Sequence, residues 1–260
     1  MKVNIKNKLY KLFLLDVSFF ILLSVLLLYA RDKIVTYITM LMGYAQQVSQ
    51  LAQQASSMET LPLDQVQYLT SAISPLTLKI KLIIYLFFPV ALYLLWSVLQ
   101  GMYYNYLNGK KFYRVEKHFL VNLPLFGLLL ILTELIFRQF TVTDAINVNL
   151  WQILVITVLM LILVYYYNVL YPLMYKVKIK QLFGRTFALA FKKFYKIFPL
   201  SLLNIVLFIL SFVFVWDILI KFVSTKNNYL LSLIFSIIAI FCWSFYKAFL
   251  ASKVVFFNKK

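Results

Sequence analysis

Six long apolar runs, each nearly free of charge, constrain this chain more than any other feature. They cover about 12–30, 82–100, 119–137, 150–171, 199–219 and 230–250. Each is close to the ~20 residues that a helix needs to cross a ~30 Å hydrocarbon core. None alternates with period two, so the runs predict helices and not barrel strands. Lipid offers no hydrogen bonds, and a helix pairs its own backbone groups. The chain is 63% hydrophobic and only 13% charged, which leaves more apolar surface than a water-soluble core of 260 residues can hide. The expected fold is all-α: one polytopic membrane domain, 1–260, with six transmembrane helices. Charged Arg31-Asp32-Lys33 stand where a signal peptide would carry small residues before cleavage. The first run is therefore read as a retained span.

The basic residues orient the spans. With the N-terminus in the cytoplasm, 19 of the 26 Lys and Arg fall on the cytoplasmic side, Lys247 among them. Most acids fall on the other side. Both termini are then cytoplasmic, and a plasma membrane is the expected location. The net charge of +18 becomes a property of the inner face, suited to anionic lipid headgroups and not to nucleic acid. The segments that lead into the first, third and fifth spans share Lys-x-Phe-x-apolar followed by Asp, Asn or Ser (Lys11 to Asp16, Lys117 to Asn122, Lys196 to Ser201). Trp96-Ser97 and Trp243-Ser244 match in the second and sixth spans. These echoes suggest three pseudo-repeated helical hairpins.

Two connections carry patterns of their own. In 176–197, Phe183, Phe187, Phe191, Phe194 and Phe198 fall on one helical face. Lys180, Arg185, Lys192, Lys193 and Lys196 accompany them, giving a basic amphipathic helix for the headgroup plane and a candidate contact with anionic lipid. Gly184 weakens that helix. The outer segment 31–79 has a heptad-like seam, Ile34, Ile38, Leu41, Ala45 and Val48, continued by Ala52 and Ala55. The first helix is expected to continue outward to about Ser57. A short return helix should start near Asp64 and end at Pro75. The seam serves either an intramolecular helical hairpin or a protein partner at this outer arm.

Candidate chemistry is sparse. The single Cys242 and single His118 cannot build a His/Cys metal cluster. No phosphate-binding Gly-rich loop or Ser elbow is present. A triad needs His118 to meet an acid and a Ser at the same interface, and Asp16 and Ser201 stand at about the right depth. No metal or other cofactor is expected. Glu134 with Arg138, and Asp217 with Lys221, have the acid four residues before the base, as favourable interfacial pairs do. Asp16 stands about one turn inside the first span with Phe20 at i+4, so its counter-ion must come from Lys8, Lys11 or another hairpin. Asn122, Asn168 and Asn204 join it as candidate intramembrane polar groups. Pro89 predicts a kink without unwinding, no small-x-x-x-small stripe stands out, and Tyr103, Tyr104, Tyr106 and Tyr165–Tyr167 read as an interfacial aromatic belt.

These features favour a non-catalytic scaffold, assembly subunit or lipid-contacting factor. The alternatives are a small permease or transporter subunit built on Asp16, and a membrane-embedded lipid-modifying enzyme.

Overall fold

The computed structural model describes residues 8–55, 63–110, 115–141, 150–223 and 230–259. Every regular element among them is helical: α1 (Leu9–Ala55), α2 (Leu63–Leu82), a π-helical turn (Ile83–Phe87), α3 (Phe88–Leu107), α4 (Glu116–Thr141), α5 (Leu150–Leu173), α6 (Ile179–Lys192), α7 (Phe194–Val223) and α8 (Leu230–Lys259). Five stretches are long and apolar enough to cross a membrane: Leu9–Leu51, Gln67–Leu107, Leu154–Leu173, Phe194–Lys221 and Ser232–Asn258. The third expected run is helical as α4 but is not one of these five. The Arg138 side chain lies outside the described residues, as does residue 57, where α1 was expected to end.

The chain forms two compact units, Met1–Leu22 with Tyr93–Lys260, and Leu23–Leu92. In the second, the distal part of α1 and α2 run antiparallel. The Tyr29 and Phe87 rings meet at 5.5 Å, and Lys79 stands over the Tyr37 ring at 5.6 Å. Both pairs obey one register, which brings Leu41 within one residue of Leu76 and Tyr44 within one residue of Ile73. The less exposed face of α1 is Ala30, Ile34, Tyr37, Leu41 and Tyr44, against Leu69, Ile73, Leu76 and Ile80 of α2. The expected seam is therefore rotated. Ile34 and Leu41 belong to it, but Tyr37 and Tyr44 replace Ile38 and Ala45, because a tyrosine ring closes the gap between helices better than a methyl group. Ile38, Ala45 and Val48 are exposed.

Pro75 does not end α2, which runs on to Leu82. Pro75 and Ser71, whose carbonyl the proline cannot pair, are both exposed, so that carbonyl stays solvated. The π turn precedes Pro89, with Phe88 N–H bonded to the Ile83 carbonyl. Widening the helix there draws the backbone away from the proline ring.

In the first unit the best-buried side chains gather where α3, α5 and α8 end and α1, α4 and α7 begin. Leu12, Leu170, Leu173, Met174, Leu182, Ile197, Ala248 and Val254 have no measurable exposure. The most extensive helix pair is α7 with α8. Ser201, Asn204 and Ser211 are buried on α7; Ser232, Ser236 and Ala239 are buried on α8. Ser232, Ser236 and Ala239, at i, i+4 and i+7, are small residues on one face of α8, the kind of side chain that lets a neighbouring helix approach closely. The opposite face of α7 (Leu202, Val206, Ile209, Val213) is exposed, as a lipid-facing surface is.

The amphipathic segment is two helices and not one. α6 stops at Lys192, Lys193 leaves helical geometry (φ −117°, ψ 23°), and α7 starts at Phe194. Phe194 and Phe198 thus leave the face shared by Phe183, Phe187 and Phe191 and stack on each other beside Tyr165. At the end of α3, Gly109 takes φ 68°. Lys110 N–H then reaches the Asn105 carbonyl and Gly109 N–H the Tyr106 carbonyl, a Schellman cap.

Gly101 of α3 lies against the start of α4: a Cβ there would meet Val115 Cγ1 at 2.9 Å and the His118 ring at 3.1 Å. Gly184 of α6 has open space around it. Gly101→Ala should therefore lower stability by about 1–3 kcal/mol. Gly184→Ala should raise it by up to ~1 kcal/mol. Thermal unfolding in detergent would show the opposite signs.

Candidate functional site: a buried polar layer

Asp16 lies on α1 and has no exposure. Its partner is Lys247 of α8, 3% exposed, whose Nζ donates to Asp16 Oδ1 and to Gln100 Oε1 of α3 at 3.1 Å. Three helices thus converge on one ammonium group. Two aromatic faces complete its cage, with the Tyr103 and Trp243 ring centres at 3.5 and 4.0 Å. Such rings attract a cation by their quadrupole, more strongly when water is excluded. Tyr103 Oη donates to the Ser244 carbonyl at 2.8 Å, which ties α3 to α8 a second time.

Lys247 therefore does not belong to the exposed basic collar. Apolar residues continue past it: Ala251 and Val254, at i+4 and i+7, are buried on the same face of α8. That spacing was the available signal, and a count of charges by loop could not show it. The counter-ion of Asp16 does come from another hairpin, and not from Lys8 or Lys11. Lys8 instead donates to the Tyr106 carbonyl at 3.0 Å, near the C-terminus of α3, where a cation is favoured.

Aromatic rings flank the ion pair. Phe19 packs on Trp96, Phe20 on Trp243, and Phe208 on Phe20, Trp96 and Trp243. The two Trp-Ser pairs noticed in the sequence thus both stand in this layer. Ser97 accepts from Asn122 Nδ2 at 2.8 Å, Tyr171 Oη donates to Asn122 Oδ1, and Trp96 Nε1 donates to Tyr171 Oη at 2.8 Å. Asn204 Nδ2 donates to Asn168 Oδ1 at 3.0 Å, joining α7 to α5. Of the four intramembrane candidates, the structure pairs Asn168 with Asn204, while Asp16 and Asn122 hold different partners. Gln100, Tyr103, Tyr171 and Trp243 were missed.

His118, at the start of α4 before its apolar run, has no exposure and bonds through Nε2 to Tyr175 Oη. Its ring stacks on Tyr171 and, more distantly, on Tyr104. Burial holds the imidazole down, to about 4. The same cause pushes the Tyr175 hydroxyl up, so the phenol is the donor and the neutral ring the acceptor. Asp16, His118 and Ser201 make no hydrogen bonds to one another, so the triad is not assembled in these hydrogen bonds. Tyr103, Tyr104, Tyr165 and Tyr167 are core residues and not a belt.

Beyond this layer, Asp217 and Lys221 form the expected i, i+4 pair at 2.6 Å, and Ser232 of α8 joins both. No group of three His, Cys, Asp or Glu able to hold a metal occurs among the described residues. No family model matches the chain, and neither the curated proteins nor the solved structures include a significant match.

Removing one member of a buried pair strands the other charge, a loss of about 3–5 kcal/mol. Lys247→Met or Asp16→Leu alone should lower the unfolding temperature sharply. The double variant should recover much of the loss, because apolar replacement of both partners is often neutral. Unfolding of the three variants in detergent measures the coupling.

His118 should give a separate pH signature. Its folded value lies below the ~6.5 of the unfolded chain, so its contribution is fully present above pH ~6.5. It is lost as pH falls from there toward 4, by up to about 3 kcal/mol. His118→Gln should flatten unfolding temperature against pH across that window.

Proposed function

We propose that this protein crosses the membrane six times, as three hairpins with both termini in the cytoplasm of a plasma membrane, and acts as a non-catalytic scaffold or assembly subunit. The observation that carries the reading is the pairing of Asp16 with Lys247. The carboxylate deepest in the layer is neutralised within the bundle, which holds three helices in place and leaves no net charge for chemistry. Asp217 is likewise held, by Lys221 and Ser232. The polar groups serve cohesion, as a scaffold requires.

The surface offered to a partner is then on the hairpin of α1 and α2. Val35, Ile38 and Met42 are exposed at 50%, 38% and 63% on a strip of α1 beside its less exposed face. A permease is the second reading. It is favoured by the polar groups gathered in the same layer: Asp16, Gln100 and Ser244 are all buried, and Trp243 Nε1 is buried without a hydrogen-bond partner among the described residues.

Native mass spectrometry of the gently released protein should show a stoichiometric protein partner. Ile38→Gln with Met42→Gln should abolish it while leaving unfolding temperature unchanged. A wild-type protein without a partner would overturn the arm reading. Proteoliposomes whose proton or cation flux disappears with Asp16→Asn would put the permease in its place.

A further inference from the structure

α6 has three faces. At about 100° per residue, Leu182, Thr186, Leu189 and Ala190 share one side, and all four are buried. Phe183, Phe187 and Phe191 share the next, exposed at 37%, 59% and 73%. Gln181, Arg185 and Lys192 form a row on the third side, at i, i+4 and i+11, and Lys178, the extended residue at the helix's N-cap, stands in line ahead of them; all four are exposed. A helix in water needs one apolar face, which it buries. This helix buries one and displays another, and it places the basic row between the displayed face and the protein.

The tyrosines of α5 set its attitude. Tyr165 Oη donates to the Ala190 carbonyl at 2.8 Å and Tyr166 Oη to the Phe183 carbonyl at 2.9 Å. Neighbouring residues of one turn on α5 thus hold points seven residues apart on α6, ~10 Å along its axis. α6 therefore lies across α5. A helix that crosses a membrane-spanning neighbour in this way lies along the membrane plane. Phe183, Phe187 and Phe191 then reach the acyl region, and the basic row meets the headgroups. No Asp or Glu occurs between residues 145 and 216 to offset this charge from within α6 or the stretches that flank it in sequence.

We infer that α6 is an in-plane binding surface for anionic lipid, with headgroup phosphates held along Lys178, Arg185 and Lys192. The assignment refines the sequence-based set. Lys178 joins it, Lys180 lies among the phenylalanines and extends past them to the headgroups, and Lys193 and Lys196 belong to the break and to α7. The inference rests on the chain being embedded in a membrane and not on any protein partner.

The test uses the full-length protein in nanodiscs of mixed phosphatidylglycerol and phosphatidylcholine, released into the mass spectrometer. Wild type should retain the anionic lipid preferentially. Each basic residue near the surface contributes about five-fold, so Lys178→Gln with Arg185→Gln and Lys192→Gln should cut the preference at least ten-fold. Lys176→Gln with Lys253→Gln, off the row, should leave it intact. No preference in wild type, or a preference that survives the triple variant, would overturn the inference. Free inorganic phosphate that displaced the lipid would do so as well, by marking a soluble anion site. A nitroxide at Phe187→Cys, in a Cys242→Ala background, reads the second face. Greater relaxation by oxygen than by a nickel chelate is expected in lipid. A label shielded from both would mean that protein covers this face, and would overturn the assignment to lipid. Retained anionic lipid without a protein partner would leave this inference standing and defeat the partner reading, so the two fail separately.

Discussion

A carboxylate and an ammonium cannot enter a dry helix bundle separately; each would lose several kcal/mol of hydration with nothing in return. Asp16 and Lys247 therefore have to arrive together, and their meeting fixes the rotation of α1 and α8 about their own axes. Gln100, accepting from the same ammonium, fixes α3. With those rotations set, the remaining faces have little freedom. Phe19 and Phe20 must turn toward Trp96 and Trp243, and Leu22 and Val25 must turn outward. The pair adds little net stability by itself. It makes other packings of the same apolar surfaces expensive, since leucine against leucine does not choose a partner.

That constraint explains why the bundle's order is concentrated at one end. Polar side chains in a membrane bond across helices where they find a partner, and each bond selects a geometry. Here the layer runs from His118 and Tyr175 through Asn122, Ser97 and Tyr171 to the ion pair, and apart from the partly buried Tyr175 its residues are buried. Gly101 lets α4 come close enough for His118 to join. Farther along α5, Leu154, Val155, Val158 and Ile162 are about half exposed, and lipid supplies their packing. The α7 and α8 pair continues through this region on Ser and Ala, because small side chains let backbones approach where no hydrophobic force draws helices together.

Helicity, the long first helix and the presence of its returning partner were legible in the sequence, because apolar periodicity and length are local properties. The i, i+4 pair of Asp217 and Lys221 was legible for the same reason. What could not be read was phase across helices. Tyr37 and Tyr44 displace Ile38 and Ala45 from the seam only because α2 approaches from their side. The tyrosines at 103, 104, 165 and 167 have the composition of an interfacial belt. Their hydroxyls reveal their place only when their acceptors are known: the Ser244 carbonyl for Tyr103, the Ala190 carbonyl for Tyr165. Pro75 and Pro89 mark stress on a helix, and whether the helix ends there depends on what surrounds the freed carbonyl.

The basic residues make the same argument most sharply, since one residue type serves four purposes. Lys247 closes an ion pair inside an aromatic cage. Lys8 donates to the Tyr106 and Leu107 carbonyls at the end of α3. Lys180 stands among exposed phenylalanines, where its long stem can lie on apolar surface while its charge reaches outward. Arg185 and Lys192 occupy an edge of α6 that is neither buried nor apolar. All lie near the same end of the bundle, and by sequence position they are one collar. Helical phase separates them: a lysine flanked at i−3, i−4, i+4 and i+7 by Ser, Trp, Ala and Val points inward, and one that shares its phase with lysines and glutamines points to water or to lipid headgroups. The net charge of this end therefore overstates what it offers to other molecules, and α6 carries an exposed, outward row of it.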